Sequence, residues 1–243
     1  MKYKNAVIIT GPTTVGKTQV CNEVAKRLDA EIINSDRLYV YSFLPIGSGL
    51  FGVLNSSDVT RHLYGICQPH EIITTEEYVK LVENLVPQIL GRDKLPLIES
   101  CSSTYNPALI ECNKQSKRDF YYSPVIGLRL PVGTNVRSRI EARLDNMFAG
   151  GVLQEAEYIH TAGWKDLHPV EISIVHNPLM KYFDGKFTLE EAKQEIIRTG
   201  LHVAQMQRER FEKIHEVVWI EHNPDKSDAT IENIIELIHH HTH

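Results

Sequence analysis

The chain has 243 residues, enough for one domain or for one domain with a large appendage, and its 42% apolar and 23% charged content is that of an ordinary globular protein. No run of about 18 apolar residues occurs, so no membrane-spanning helix is expected. The net charge of −5 gives no large basic footprint for nucleic acid, which leaves only a local patch as a route to such a partner.

The opening "MKYKNAVIIT" carries two lysines, but its apolar run is too short for the core of a signal peptide. Residues 6–10 read instead as a buried strand, and residues 17–28 as a helix with Val20, Val24 and Leu28 on one face. Residues 31–34 are a second strand, ending just before "SDR". Residues 38–73 look irregular, with Gly, Ser and Pro scattered through them. So long a loop in a compact domain is usually functional or mobile. Thr74 and Glu77 make a capping box for a helix with Tyr78, Leu81, Val82, Leu85 and Ile89 on one face. Strands follow at 95–99 and 124–130. A helix over 135–149 carries Val136, Ile140, Leu144 and Met147, and Gly150-Gly151 stops it. A second capping box, Thr188 with Glu191, opens a long helix toward about residue 214. A strand at 216–221 and a helix at 229–239 complete the chain.

Strands alternating with helices imply an α/β fold: a parallel sheet flanked by helices, of the kind built around a phosphate-binding loop. The expected division is a core over 1–133, a helical subdomain over 134–215, and a last strand and helix over 216–243 that return to the core. Cys21, Cys67, Cys101 and Cys112 show no C-x-x-C spacing, so they read as reduced thiols of a cytoplasmic protein. Four of the 12 histidines lie in the terminal "HHHTH", a tag remnant or a frayed tail. No cysteine or acidic ligand cluster accompanies them, so zinc is not expected there.

The stretch most informative about chemistry is "GPTTVGKT", residues 11–18, which fits Gly-x-x-x-x-Gly-Lys-Thr between a strand and a helix. Backbone N–H groups and a helix N-terminus converge on one spot there, and the helix dipole favours an anion. Lys17 adds a positive charge, and the Thr18 hydroxyl can reach a Mg²⁺ ion. Gly11, Gly16, Lys17 and Thr18 are therefore phosphate-binding candidates, but the pattern does not say whose phosphate. Asp36 follows the second strand, and ligands of open parallel sheets bind beyond the carboxyl ends of strands. It is either an acid–base or metal residue or a loop cap. Glu99 closes the third strand at the same edge. Arg139 and Arg143 are four apart on one helix. They either clamp negative charge above the loop or form a solvated face paired with Glu141 and Asp145. The charged run at 205–213 reads as a solvated face.

"ITGPTTVGKT" followed by "INSDRLYVY" resembles the opening of the isopentenyltransferase family, which includes adenylate and tRNA dimethylallyltransferases. Gly11-Pro12-Thr13 and Ser35-Asp36 match its hallmarks. "IGSG" at 46–49, "TRHLYG" at 60–65, "SSTYNPAL" at 102–109 and "RIEARLDNMFAGGVLQE" resemble its later segments in order, and the likeness runs over about residues 5–215. It implies that the loop holds the diphosphate of a prenyl donor, with Gly11, Pro12, Thr14, Gly16, Lys17, Thr18 and Arg143 as its contacts and Mg²⁺ at Thr18. It implies that Asp36 is the base that takes a proton from the adenine N6 amine, with Thr13 and Lys17 beside the reacting bond. Arg37, Ser48 and Ser102, with Asp36, would meet the acceptor nucleotide.

Members acting on tRNA carry a helical insertion between the Ser102 region and the arginine helix. Here about thirty residues separate Ser102 from Pro131, and no basic tail or zinc-finger extension follows. These features lead to the expectation of a monomer that prenylates a free adenine nucleotide such as AMP, with dimethylallyl diphosphate as donor and no nucleic-acid partner. The rival readings are a tRNA-modifying enzyme, a nucleoside or metabolite kinase on the same core, and a binding protein that has lost catalysis. The sequence departs from the family at Ser100-Cys101, where it has Gly-Gly, at Leu50, and at "SIVHNP", 173–178.

Overall fold

The structure, a computed structural model, describes residues 2–54, 58–115 and 119–242; residues 55–57 of the irregular segment and His243 of the histidine tail lie outside them. Among the described residues six strands form one parallel sheet, in the order β3-β2-β4-β1-β5-β6. They are β1 (Ala6–Thr10), β2 (Ala30–Ser35), β3 (Arg61–His62), β4 (Leu95–Ser100), β5 (Tyr122–Arg129) and β6 (Val217–Glu221). Every residue of β1, β2 and β4 is buried. Helices cover both faces of such a sheet, so its strands are near-continuous apolar runs rather than alternating patterns.

The order decides where the chemistry sits. β4 lies between β1 and β2, with Thr10 level with Ser100 and Ser100 level with Ser35. Neighbouring strands are about 4.8 Å apart. The loop after β1, Asp36 after β2 and Cys101 after β4 therefore leave the sheet side by side.

The helix signals hold at their strongest points. α1 (Lys17–Leu28) buries Val20, Val24 and Leu28. α4 (Thr75–Gly91) opens at the expected box, where Thr74 Oγ1 accepts the Glu77 N–H at 3.2 Å and Glu77 Oε2 accepts the Thr74 N–H at 2.9 Å. It buries Tyr78, Val82, Val86 and Ile89, whereas Leu81, expected on that face, lies off this stripe and is exposed. α10 (Leu189–Phe211) has the second box at Thr188 and Glu191 and stops short of 214.

Residues 38–73 are less irregular than expected. They contain α2 (Pro45–Ser48), α3 (Leu50–Leu54) and β3, which pairs with β2. Elements this short carry no readable period. α5 (Tyr105–Cys112) also escapes the pattern, since it places Asn106-Pro107 in its first turn, where proline is tolerated.

The second half adds α6 (Val136–Ala149), α7 (Val152–Thr161), α8 (His168–Glu171), α9 (His176–Phe183) and, after β6, α11 (Asp228–Thr242). One apolar cluster sits on the sheet around Ile8, Ile33, Ile98 and Ile126; another joins α6, α7, α9 and α10 through Ile140, Leu144, Ile159, Leu179 and Ile196. Leu44, fully buried, belongs to the second cluster although it precedes β3 in sequence. Its burial contributes about 1.5–3 kcal/mol toward fastening the 38–54 segment to the helical half. No helix of the described residues is long and apolar enough to cross a membrane.

Candidate active site

The loop after β1 needs its glycines. Gly11 has φ 150°, and a Cβ there would lie 2.5 Å from the Leu128 carbonyl oxygen, a backbone atom in the neighbouring strand that cannot yield. Gly16, at φ 94°, is the residue before the first turn of α1. Thr14 adopts a left-handed conformation (φ 68°), which turns the backbone between the two glycines. Gly11→Ala should destabilise the protein by about 2–4 kcal/mol through backbone strain and this clash. Denaturant unfolding checks it, and an unchanged midpoint would contradict the close approach.

Lys17 is buried at the start of α1, and its Nζ donates to the Gly11 and Pro12 carbonyls at 2.8 Å each. Burial pulls its pKa below the ordinary lysine value, and the carboxylates of Glu99 and Asp36 oppose that fall. A buried ammonium bonded to two loop carbonyls is poised for an anion seated in the loop. Thr18 donates its hydroxyl to Glu99 Oε1, and Glu99 also accepts from the Tyr64 hydroxyl at 3.2 Å with Arg61 at 3.7 Å. Burial raises the Glu99 pKa. Thr18 and Glu99 give a divalent cation hard oxygen ligands of the kind Mg²⁺ prefers, and the rest of its shell would come from phosphate and water. No group of three or more His, Cys, Asp or Glu side chains among the described residues forms a cation cage.

Asp36 is held at both oxygens. Oδ1 accepts the Leu38 N–H at 2.8 Å, and Oδ2 accepts the Cys101 thiol at 2.6 Å. Burial, then the Asp36 charge, push the Cys101 thiol well up from its ordinary pKa, so it stays protonated and donates. Asp36 thus caps its own loop through the Leu38 N–H and also lines the cavity. Ser100, the other departure from Gly-Gly, is fully buried, and its hydroxyl bonds Ser35 Oγ at 3.0 Å, away from the cavity.

The arginines resolve in favour of the loop. Arg143 donates to Thr13 Oγ1 at 3.2 Å and to the Ser48 carbonyl at 2.9 Å; Arg139 donates to the Thr14 carbonyl at 3.1 Å. Neither pairs with Glu141 or Asp145 as a solvated face would. Arg137 does so instead, with Glu141 at 3.1 Å. The run 205–213 also differs from expectation. Gln207 accepts the Thr13 N–H at 2.8 Å and donates to the Cys101 carbonyl at 3.0 Å, and Arg210 donates to Ser103 at 2.9 Å. Gln205 with Glu209 and Arg208 with Glu212 behave as the expected exposed pairs. Nothing in the charge pattern separates Gln207 from its neighbours. Tyr39, whose phenol burial drives well above its ordinary pKa, is a second lining residue that the sequence reading passed over.

These groups enclose a cavity of about 640 Å³. Thr13, Thr14, Gly16, Lys17 and Thr18 form its floor, and Asp36, Arg37, Ser48, Ser102 and Arg143 also line it. Ser48 offers little hydroxyl, since its Oγ donates to the Leu44 carbonyl at 2.5 Å. Ser102 Oγ accepts the Thr104 and Tyr105 N–H groups at the start of α5. Arg37 reaches His168 at 3.2 Å. Ile140, Leu144, Met147, Ile174 and Val175 add an apolar wall to the lining.

The chain resembles known proteins over most of its length. A family profile described as isopentenyl transferase matches residues 4–91, and one described as IPP transferase matches residues 110–213. The chain is 25% identical to the tRNA dimethylallyltransferase of Anoxybacillus flavithermus, covering 98% of this chain and 96% of that protein. It is 27% identical to adenylate isopentenyltransferase 3, chloroplastic, of Arabidopsis thaliana, over 87% of this chain and 66% of that one. The crystal structure of the tRNA isopentenylpyrophosphate transferase of Bacillus halodurans superposes with a TM-score of 0.87 at 24% identity, covering 98% of this chain and 96% of that one.

Proposed function

We propose that this chain, which belongs to the isopentenyltransferase family of prenyltransferases, moves a five-carbon prenyl group from its diphosphate to the N6 amine of an adenine. The supporting observation is one cavity lined at once by a cationic phosphate loop, a carboxylate and an apolar wall. The loop amides, Lys17 and Arg143 bind the diphosphate and stabilise its charge as the allylic C–O bond breaks and the electron pair leaves with it. Mg²⁺, held by Thr18 with Glu99 behind it, would add Lewis-acid stabilisation of that leaving group. The N6 lone pair forms the new C–N bond, and Asp36 takes the proton from nitrogen. Its two hydrogen bonds fix the carboxylate before the acceptor arrives.

Two acceptors have support. Similarity by name favours tRNA: the Anoxybacillus relative and others at similar identity are tRNA dimethylallyltransferases. Size favours a free adenine nucleotide. The Anoxybacillus alignment runs over 304 positions against the 243 residues here, so more than 60 positions of that relative have no counterpart, although both chains are covered nearly end to end. We infer that these extra positions serve the tRNA of that relative, and that AMP, ADP or ATP is the acceptor here. Incubation with dimethylallyl diphosphate, Mg²⁺ and each nucleotide or unmodified tRNA should add the prenyl mass to a nucleotide. Gain on tRNA alone would transfer the acceptor to the second reading. Transfer of the ATP γ-phosphate with no prenyl product would replace the whole reading with a kinase.

A further inference from the structure

A buried relay lies behind the cavity and takes no part in the chemistry above. Ser173 Oγ and His176 Nδ1 are 2.8 Å apart, and His176 Nε2 and Glu155 Oε1 are 2.8 Å apart. His176 is fully buried, Ser173 is 1% exposed, and the Glu155 side chain is 8% exposed. A carboxylate only accepts, so Nε2 carries the hydrogen and the serine hydroxyl donates to Nδ1. The residue types are those of a nucleophilic triad, but the serine is sealed from solvent and also accepts the Val175 and His176 N–H groups at 3.4 and 3.1 Å. It turns the chain into α9 and is not a nucleophile.

The far end of the relay explains its presence. Glu155 Oε2 accepts the Ile46 N–H and Oε1 the Gly47 N–H, both at 2.8 Å. These are the residues of α2 just before Ser48, which lines the cavity and whose carbonyl Arg143 grips. A Cβ on Gly47 would lie 2.4 Å from His176 Cε1, so the ring and this backbone are packed in contact. A buried carboxylate is costly unless hydrogen-bonded, and here three donors satisfy it. The "SIVHNP" segment, a departure from the family pattern, supplies two of the three relay residues.

We propose that Glu155 and His176 are positioning residues: they fix α2 against the helical half and so set affinity for the acceptor. The acceptor part rests on the prenyl-transfer reading. Glu155→Gln replaces one acceptor oxygen by an amide that opposes a backbone N–H, and His176→Leu removes the ring that steadies the carboxylate. Both should raise the KM for the nucleotide tenfold or more, with calorimetric affinity for dimethylallyl diphosphate within about twofold of the parent. His176→Gln, which can both accept from Ser173 and donate to Glu155, should restore most of the loss. Amide hydrogen exchange at Ile46 and Gly47, which needs no activity, should quicken at least tenfold in Glu155→Gln and His176→Leu. Unchanged exchange at those amides would overturn the clamp even if the protein prenylates nothing. Faster exchange with an unchanged nucleotide KM in an active enzyme would overturn its link to the acceptor.

Discussion

Asp36→Asn should cut turnover by about a hundredfold or more while leaving donor affinity within about threefold, because it removes the charge proposed to take the N6 proton and little else. Asparagine keeps an oxygen for the Leu38 N–H. Its amide would face Cys101, whose sulfur is a weak acceptor, so the local loss is one modest hydrogen bond. Single-turnover rates with bound dimethylallyl diphosphate separate this from a binding defect. Wild-type rates in the variant would move the base elsewhere in the cavity. Cys101→Ser, which keeps a donor to Oδ2, should stay near the parent rate.

Lys17→Met should raise the donor dissociation constant by thirtyfold or more, the equivalent of losing about 2 kcal/mol from one buried charge-assisted contact. Methionine fills the stem's space and leaves α1 packed. The structure adds contacts within the loop that are absent from the sequence reading. Lys17 also bonds the Gly11 and Pro12 carbonyls, but the variant removes a charge that burial disfavours, so the unfolding midpoint without ligand should move little. Titration with dimethylallyl diphosphate by calorimetry measures the change in affinity. Unchanged affinity would remove Lys17 from the donor site.

The loop, its flanking strand and helix, and both capping boxes are legible in sequence because each is a local pattern with one physical solution. The parallel class follows from alternation alone. The position of β4 between β1 and β2 is not local, and it is this insertion that puts Cys101 against Asp36. For the same reason the Ser100-Cys101 departure cannot be oriented from sequence: Ser100 turns toward Ser35, its neighbour across β4 and β2. Arg139 and Arg143 could be placed on one face but not aimed, since a helical period gives no direction toward a partner 125 or 130 residues away. Gln207 was hidden inside a charged helix whose next residue, Arg208, really is solvated.

The Thr13–Gln207 bond spans 194 residues and the Thr13–Arg143 bond 130. A ribosome delivers the loop at the start of synthesis, Arg143 past the midpoint and Gln207 toward the end. A nascent chain arrested near residue 130 would carry the whole phosphate motif without Arg143 or Gln207 against Thr13. The contacts of Thr13 can therefore close only once most of the chain has been made.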